Sequence, residues 1–488
     1  MKQKRTLAAL LLAAMLLCAC SNDTTQSTDG TAAQTETSAV ETEEVWSSLP
    51  NMDWDGRVFH VLGKETSNAS FNTFEVYAES TNGEILNDTI FERNTTIENK
   101  YNVKIGYTAV EDTSAELRKV VMANEDTYDL SFNWTVDIGS LAADGLMYNL
   151  NNLKYVDFSQ PWWNQDANET LTIAGQLYFT TSDFLLHDKL RSYIIIYNAD
   201  LAVAHQLEDL QTIAEEGRWT IDMMNTLGRQ VASDLNNDGK MSNEDRFSLI
   251  GGATKDMAMF AASLGNKIVS KDENGDLYIS MNTEHMVNSI DKIHALYDKS
   301  YSAYPEDFSK YDSADFYNYG YNIFYSGNSL FYAAVLNGMK SCSSKCNFDY
   351  KALPMPKFDE QQEKYLTQPD DITLLFNVPA SVSDPDFCGF MLEALSYISS
   401  DTTLPTYYEV CCKNKYTYDE RSMKLLDIAM QGVTYDIGFI WNLGGLRDIL
   451  KDNYATSRKN NFASAFEKRE KSALASMEEL VTHYEALH

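Results

Sequence analysis

The chain has 488 residues and a formal net charge of -32 at pH 7. So strong a negative charge disfavours nucleic acids and anionic membrane surfaces as partners, because both repel an acidic protein. The length allows two or three domains with sizeable cores. Aromatic residues make up 12% of the chain, an excess that suggests stacking surfaces for a flat, weakly charged ligand, although most Tyr and Phe side chains belong to cores.

The N-terminus has the pattern of an export signal. A basic start at residues 2–5 precedes an apolar run at 7–17, and the run ends in Leu-Cys-Ala-Cys20. This ending resembles the lipobox of bacterial lipoproteins, in which the preceding segment is cleaved and the cysteine carries lipid. The alternatives are a plain signal peptide or a transmembrane helix, but a span needs about 20 apolar residues. We therefore expect a signal peptide at 1–19 and a lipid anchor on Cys20 that holds the protein at the cell membrane, facing the extracellular or periplasmic side.

Residues 20–50 are predicted to be a disordered tether. They consist almost entirely of Ser, Thr, Ala, Gln, Asp and Glu, and such a segment buries too little apolar surface to fold. A flexible chain of this length reaches about 30 Å. The tether would therefore hold a globular body away from the membrane.

Strand and helix patterns alternate at the start of this body. We predict, in order, a strand at 57–63, a helix at 84–101, a strand at 102–107, a helix at 114–124 and a strand at 128–132. Such alternation favours βαβ units and a parallel sheet. In open α/β sheets ligands bind beyond the carboxyl ends of the strands. Asn133, Trp134 and Asp137, which directly follow the third strand, are therefore candidate binding residues.

Residues 234–245, DLNNDGKMSNED, match a calcium-binding loop. Oxygen-bearing side chains occupy positions 1, 3, 5 and 9, glycine occupies position 6, and a carboxylate occupies position 12. The predicted ligands of one structural Ca²⁺ are Asp234, Asn236, Asp238, Lys240, Ser242 and Asp245. The alternative is a solvated turn rich in Asn, Asp and Gly. Asp245 stands where such a loop usually has Glu, so the shorter side chain puts bidentate closure in doubt, and Glu244 is a possible substitute.

Several segments, taken in order, resemble one protein family. They are 85–103 (ILNDTIFERNTTIENKYNV), 128–130 (YDL), 160–163 (QPWW), 217–220 (GRWT), 324–327 (FYSG), 353–360 (LPMPKFDE) and 378–380 (VPA). Their order, which spans essentially the whole body, resembles that of the extracellular solute-binding proteins of bacterial ABC transporters. The resemblance is closest to the large lipoprotein members that are thought to bind carbohydrates.

The resemblance implies an α/β, periplasmic-binding-protein-like fold with two α/β lobes, a hinge and an interlobe cleft. The ligand would lie in the cleft, and closure of the lobes would signal to a membrane permease. We expect lobe 1 at 51–183 and 355–410, lobe 2 at 184–354 and 411–488, and a monomeric protein.

A sugar site would combine aromatic platforms with polar groups that fix orientation. The candidate side chains are Asn133, Trp134, Asp137, Trp162, Trp163, Asp183, Tyr325, Phe439, Trp441 and Asn442. Asp183 follows an expected crossing strand at 176–181, and Tyr325 follows a strand-like run. For the tryptophans the alternative is a place in the core.

Other functions remain open at this point. The chain has no HExxH, GxSxG, Walker or GxGxxG motif, so a surface glycoside hydrolase or lyase would have to act without a local signature. A non-sugar ligand, such as a peptide or a polyamine, and a purely structural surface lipoprotein are further alternatives. A disulfide between Cys342 and Cys346 is possible in an exported protein.

Overall fold

The computed structural model describes residues 49–66, 73–251, 256–309, 315–408, 419–452 and 460–487. The predicted signal peptide, Cys20 and the tether up to residue 48 lie outside the described residues. The strands are β1 (Arg57–Lys64), β2 (Val103–Val110), β3 (Leu130–Trp134), β4 (Tyr193–Asn198), β5 (Phe247–Ile250), β6 (Val269–Lys271), β7 (Leu277–Ile279), β8 (Ser302–Ala303), β9 (Ser329–Val335), β10 (Tyr350–Leu353) and β11 (Leu374–Asn377). The α-helices are α1 (Ile85–Tyr101), α2 (Thr113–Met122), α3 (Thr135–Ala143), α4 (Gln165–Leu171), α5 (His187–Leu190), α6 (Ala199–Ala204), α7 (Leu210–Glu215), α8 (Ile221–Val231), α9 (Asp256–Ser263), α10 (Glu284–Leu296), α11 (Phe316–Tyr325), α12 (Gly338–Lys345), α13 (Pro385–Asp401), α14 (Thr403–Thr406), α15 (Glu420–Gln431), α16 (Ile437–Trp441), α17 (Leu446–Asp452) and α18 (Phe462–Ala486).

The five elements predicted at the start of the body are all present. Helix α1 begins where the Glu84 side chain accepts a hydrogen bond from the backbone N–H of Asn87, and it ends at Asn102 in a left-handed conformation with φ 49°. Both features are typical of helix termini. The helix buries Ile90 and Ile97, seven residues apart, on one face, as the apolar periodicity predicted.

The first sheet has the strand order β11-β3-β1-β2. Strand β1 runs parallel to both β2 and β3, whereas β11 joins antiparallel to β3. The parallel βαβ arrangement predicted from the alternation is confirmed. All four strands fall within 51–183 and 355–410.

The second sheet has the order β10-β4-β9-β5-β8. Strand β5 is parallel to β8 and β9, and β4 is antiparallel to β9 and β10. Its strands fall within 184–354, where β6 and β7 form a separate hairpin. The two sheets and their helices are the two α/β lobes, so the predicted fold class is confirmed.

The chain crosses between the sheets at 183–192 and again at 354–373. A buried ion pair joins these crossings, in which Arg191 Nε donates to Asp370 Oδ1 at 3.1 Å and a second bond links Nη2 to Oδ2. His187 Nδ1 accepts from the backbone N–H of Leu374 at 3.1 Å. The segment at 176–181 makes an isolated bridge to β11 and forms no regular strand, so the expected crossing strand is wrong in detail.

Residues 51–488 form one compact unit. Helix α16 packs on α3 of the first lobe, while α17 packs on α9 of the second. The C-terminal residues thus contact both lobes, and the predicted lobe boundaries stay a prediction.

Cys342 and Cys346 are free thiols, so the possible disulfide is not formed. Within the described ranges, no helix is long and apolar enough to cross a membrane.

Candidate functional site

The carboxyl ends of β1, β2 and β3 meet at one edge of the first sheet, because the three strands are parallel. This edge carries Lys64 at the end of β1, residues 111–114 after β2, and residues 134–137 at the junction of β3 and α3. We call these residues the sheet-edge site. Two of the three residues predicted after β3, Trp134 and Asp137, lie here half-buried.

Lys64 and Trp134 form the centre of the sheet-edge site. The Lys64 ammonium lies 4.0 Å from the centroid of the Trp134 ring, a distance at which a cation is attracted to an aromatic face. Lys64 is only 5% exposed, and its Nζ donates to the carbonyl of Glu111 at 2.5 Å. Burial lowers the pKa of Lys64, and the nearby Asp112 and Asp137 oppose that effect.

Asp137 lies one turn into α3 and supplies a hydrogen-bond acceptor. Burial raises the pKa of Asp137 and Asp112 adds to the rise, while the Lys64 ammonium acts to lower it. A half-buried carboxylate beside an indole face is suited to accept hydroxyl donors from a ligand that stacks on the ring.

Asn133 orients the site from beneath. It is fully buried. Its Nδ2 donates to Asn377 Oδ1 at 2.9 Å and to Ser131 Oγ at 3.2 Å, and its Oδ1 accepts from Ser114 Oγ at 3.2 Å. Because these bonds occupy the amide, Asn133 ties β3 to β11 and to α2 rather than facing a ligand.

Sequence reasoning missed Lys64 and Asn377. Lys64 was within reach of the same argument, since it directly follows the strand predicted at 57–63. Asn377 belongs to β11, whose antiparallel pairing with β3 joins residues more than two hundred positions apart, and no local pattern announces such a pairing.

Trp441 lies against the helix that begins at the sheet-edge site. Its ring centroid is 5.3 Å from that of Phe179, and a Cβ atom added to Gly139 of α3 would lie 3.0 Å from Trp441 Cδ1. Trp441 therefore packs beside α3 at Gly139, whereas Trp134 and Asp137 lie at the start of that helix. Phe439 is buried, with the Arg447 guanidinium 5.5 Å from its ring centroid.

Asn442 has a structural role at the turn after α16. It adopts a left-handed conformation with φ 47°. Its Oδ1 accepts from the backbone N–H of Arg447 at 3.0 Å, and its Nδ2 donates to Asp448 at 2.9 Å. These bonds hold the start of α17.

Trp162 and Trp163 pack against α13. Their indole N–H groups donate to the two carboxylate oxygens of Glu393, at 3.1 and 2.9 Å, and both side chains are buried. These contacts correspond to the alternative of a place in the core.

Trp163 and Asp183 also line a cavity of about 520 Å³ that includes no residue of the sheet-edge site. In this cavity Asp183 lies 3.5 Å from Lys189 Nζ.

Tyr325 is the last residue of helix α11, so the prediction of a strand before it is wrong. The run FYNYGYNIFY is aromatic, but it forms a helix that buries Ile323, Phe324 and Tyr325. Tyr325 packs in the core with Tyr332 of β9, at a centroid distance of 6.0 Å. The structure does not bring it to the sheet-edge site.

The loop at 234–245 turns tightly around its own carboxylates. Asp234 accepts from the backbone N–H of Asn237 at 2.7 Å and of Gly239 at 2.8 Å, and Gly239 has φ 78°, which favours glycine. Burial acts to raise the pKa of Asp245, but hydrogen bonds from Leu235 and Ser242 outweigh it and hold that pKa low.

The calcium site stays a prediction. Asn236 and Asp238 each accept a backbone N–H two residues on, so a cation would share its oxygens with the turn. Across the described ranges, no group of three or more His, Cys, Asp or Glu side chains is arranged to hold a metal ion. Lys240 is exposed and Ser242 is half-buried.

Comparison with known proteins shows similarity at the level of structure. No protein-family model matches the sequence, and no curated protein matches it. A cyclo/maltodextrin-binding protein complexed with maltotetraose has a TM-score of 0.57 at 13% identity, with 87% of this chain and 97% of that chain covered.

Two further solved structures are similar over most of the chain. A cyclic alpha-maltosyl-1,6-maltose binding protein from Arthrobacter globiformis has a TM-score of 0.57 at 13% identity, covering 86% of this chain and 99% of that one. The GacH receptor of Streptomyces glaucescens, solved unliganded and with acarbose, has a TM-score of 0.51 at 14% identity, covering 88% and 98%. Each is described as a binding protein or a receptor. At these identities the likeness shows the fold, and it agrees with the predicted two-lobed α/β architecture.

Proposed function

We propose that this protein is the extracellular solute-binding component of an ABC importer and that it captures a carbohydrate, an oligosaccharide in particular, in the cleft between its lobes. The observation that carries the proposal is the half-buried indole of Trp134 at the carboxyl end of β3, one helical turn before the carboxylate of Asp137. Ligands of open α/β sheets bind at this edge.

The chemistry of the sheet-edge site suits a sugar. A sugar ring offers an apolar C–H face to an aromatic platform and hydroxyl donors to a carboxylate. Proteins with a similar fold are described as complexes with maltotetraose and with acarbose. Trp441 against α3 supplies a second aromatic group near the same helix.

The fold supports a binding role with a moving cleft. Two lobes joined by a few crossing segments can close over a ligand, and the closed form would be recognised by membrane permease subunits. In this proposal the protein acts as a monomer, is not an enzyme, and is held at the membrane by lipid on Cys20.

The test is binding of oligosaccharides to the purified protein, followed by calorimetry and thermal unfolding. A sugar present at a hundredfold excess over its dissociation constant should stabilise the fold by about 2.7 kcal/mol. Small-angle scattering should show compaction on binding. Turnover of the glycan would favour the hydrolase or lyase, and binding of peptides or polyamines alone would contradict a carbohydrate ligand.

Trp134→Ala should weaken sugar binding at least tenfold, which corresponds to about 1.4 kcal/mol. Trp54→Ala is the matched control. Trp54 is also a half-buried tryptophan, but it precedes β1 at the opposite end of the same sheet, where its ring centroid lies 4.8 Å from that of Phe387. Trp54→Ala should lower the unfolding midpoint and leave affinity within about twofold. Equal losses of affinity in both variants would contradict the assignment of the site.

A further inference from the structure

We infer that the sheet-edge site selects uncharged or amine-bearing sugars and rejects acidic ones, such as uronates and sulfated glycans. This inference rests on the proposed function and adds the charge class of the ligand. It follows from the contacts that the ammonium of Lys64 and the carboxylates of the site make within the protein.

The ammonium of Lys64 is already engaged. It donates to the carbonyl of Glu111 at 2.5 Å and lies 4.0 Å above the Trp134 ring, and the side chain is 5% exposed. The carbonyl and the ring surround the ammonium inside the protein, so an anionic ligand has little access to it. Lys64 is the only basic side chain in the sheet-edge site as defined, residues 64, 111–114 and 134–137.

The carboxylates of the site remain acidic neighbours for a ligand. Asp137 is half-buried beside the ring, and Asp112 caps α2 by accepting from the backbone N–H of Ala115 at 3.0 Å. Glu111 accepts from Lys64 through its backbone carbonyl, and its side chain is exposed.

The sheet-edge site therefore has one ammonium, which contacts other groups of the protein, and three carboxylates. A sugar carboxylate or sulfate stacked on Trp134 would lie near Asp137 in a partly desolvated environment, where like charges repel more strongly than in water. A hydroxyl or an ammonium in the same position would instead donate to Asp137. The net charge of -32 adds a long-range repulsion that slows the approach of anions.

The test begins with a panel of neutral malto-, cello-, xylo- and manno-oligosaccharides, acidic oligogalacturonates and sulfated oligosaccharides, and chitosan oligomers. The tightest neutral binder is then compared with the same oligosaccharide after oxidation of its primary alcohols to carboxylates. We expect the oxidised form to bind at least tenfold more weakly in low salt. The long-range part of this difference in affinity should disappear in about 1 M salt, where the Debye length falls to about 3 Å, while the part caused by the half-buried Asp137 should persist.

Two variants of equal net charge separate a local effect from a general one. Asp137→Asn should reduce the ratio of the dissociation constants of the oxidised and neutral ligands at least threefold. Asp144→Asn removes the same charge at the far end of α3, where Asp144 is exposed and pairs with Arg118 at 2.6 Å. This variant should leave the ratio of the two dissociation constants unchanged.

Binding of the oxidised ligand as tight as that of the neutral one would overturn the inference while the proposed function stands. Tightest binding by an acidic glycan, or an equal reduction of this ratio by both variants, would also overturn it. If no glycan of any charge binds, the proposed function fails and the inference fails with it.

Discussion

Glu75 is a buried carboxyl group whose ionisation should cost stability. Its side chain is 0% exposed. Burial raises the pKa of Glu75 to about 7, with Arg93 and the backbone of Leu186 opposing the rise and Asp188 adding to it. Arg93 itself donates to the backbone carbonyl of Glu75 rather than to its side chain.

The size of the effect follows from linkage between protonation and folding. The ordinary pKa of the group is 4.5, and each unit of difference between folded and unfolded states is worth about 1.4 kcal/mol. The folded state holds the proton more tightly, so stability is full below pH 4.5 and is lost as the pH rises through about 7. At about pH 8.5 the loss amounts to about 3 kcal/mol.

Glu75→Gln removes this loss. Its free energy of unfolding in urea should equal that of the wild type within about 0.5 kcal/mol at about pH 4.5, and it should exceed the wild-type value by about 3 kcal/mol at about pH 8.5. A difference that does not grow with pH would refute the reasoning.

Glu393→Gln is the matched control. Burial also raises the pKa of Glu393 to about 7, but its oxygens accept from the indoles of Trp162 and Trp163. An amide N–H₂ would face one of those donors, so Glu393→Gln should lower stability by about 1–3 kcal/mol at about pH 4.5.

Chelation with EDTA should lower the unfolding midpoint if the loop at 234–245 holds calcium, and adding calcium back should restore it; an unchanged midpoint in both steps would exclude the ion. Cys20→Ala should abolish incorporation of a fatty-acid analogue, and equal labelling of variant and wild type would rule out lipid at that position. Asp370→Asn leaves the buried guanidinium of Arg191 without its carboxylate and should reduce the free energy of unfolding in urea by about 3–5 kcal/mol. A loss under about 1 kcal/mol would show that this pair does not hold the two crossings together.

Local pattern was sufficient for the first lobe's opening elements. The strand at 57–64, the helix at 85–101 and the strand at 103–110 repeat their apolar residues with periods that differ between strand and helix, and the structure has all three. The placement of Trp134 and Asp137 followed from them, because a residue after a parallel strand lies at the carboxyl edge of the sheet. The run at 316–325 shows the limit, since aromatic residues favour strands on average but here pack one face of a helix.

By itself, the sequence determined the alternation of strands and helices and the edge at which Trp134 would lie, and the resemblance of its ordered segments to a known family implied the two-lobed fold class. Only the tertiary structure decided which tryptophans pack in the core. The indoles of Trp162 and Trp163 bond to Glu393, which lies more than two hundred positions away in the chain. It also decided that β11 pairs with β3 and that Asn133 bonds to Asn377. The physical reason is that side-chain periodicity records only which face of an element is buried, while the group it meets there is set by how distant elements pack.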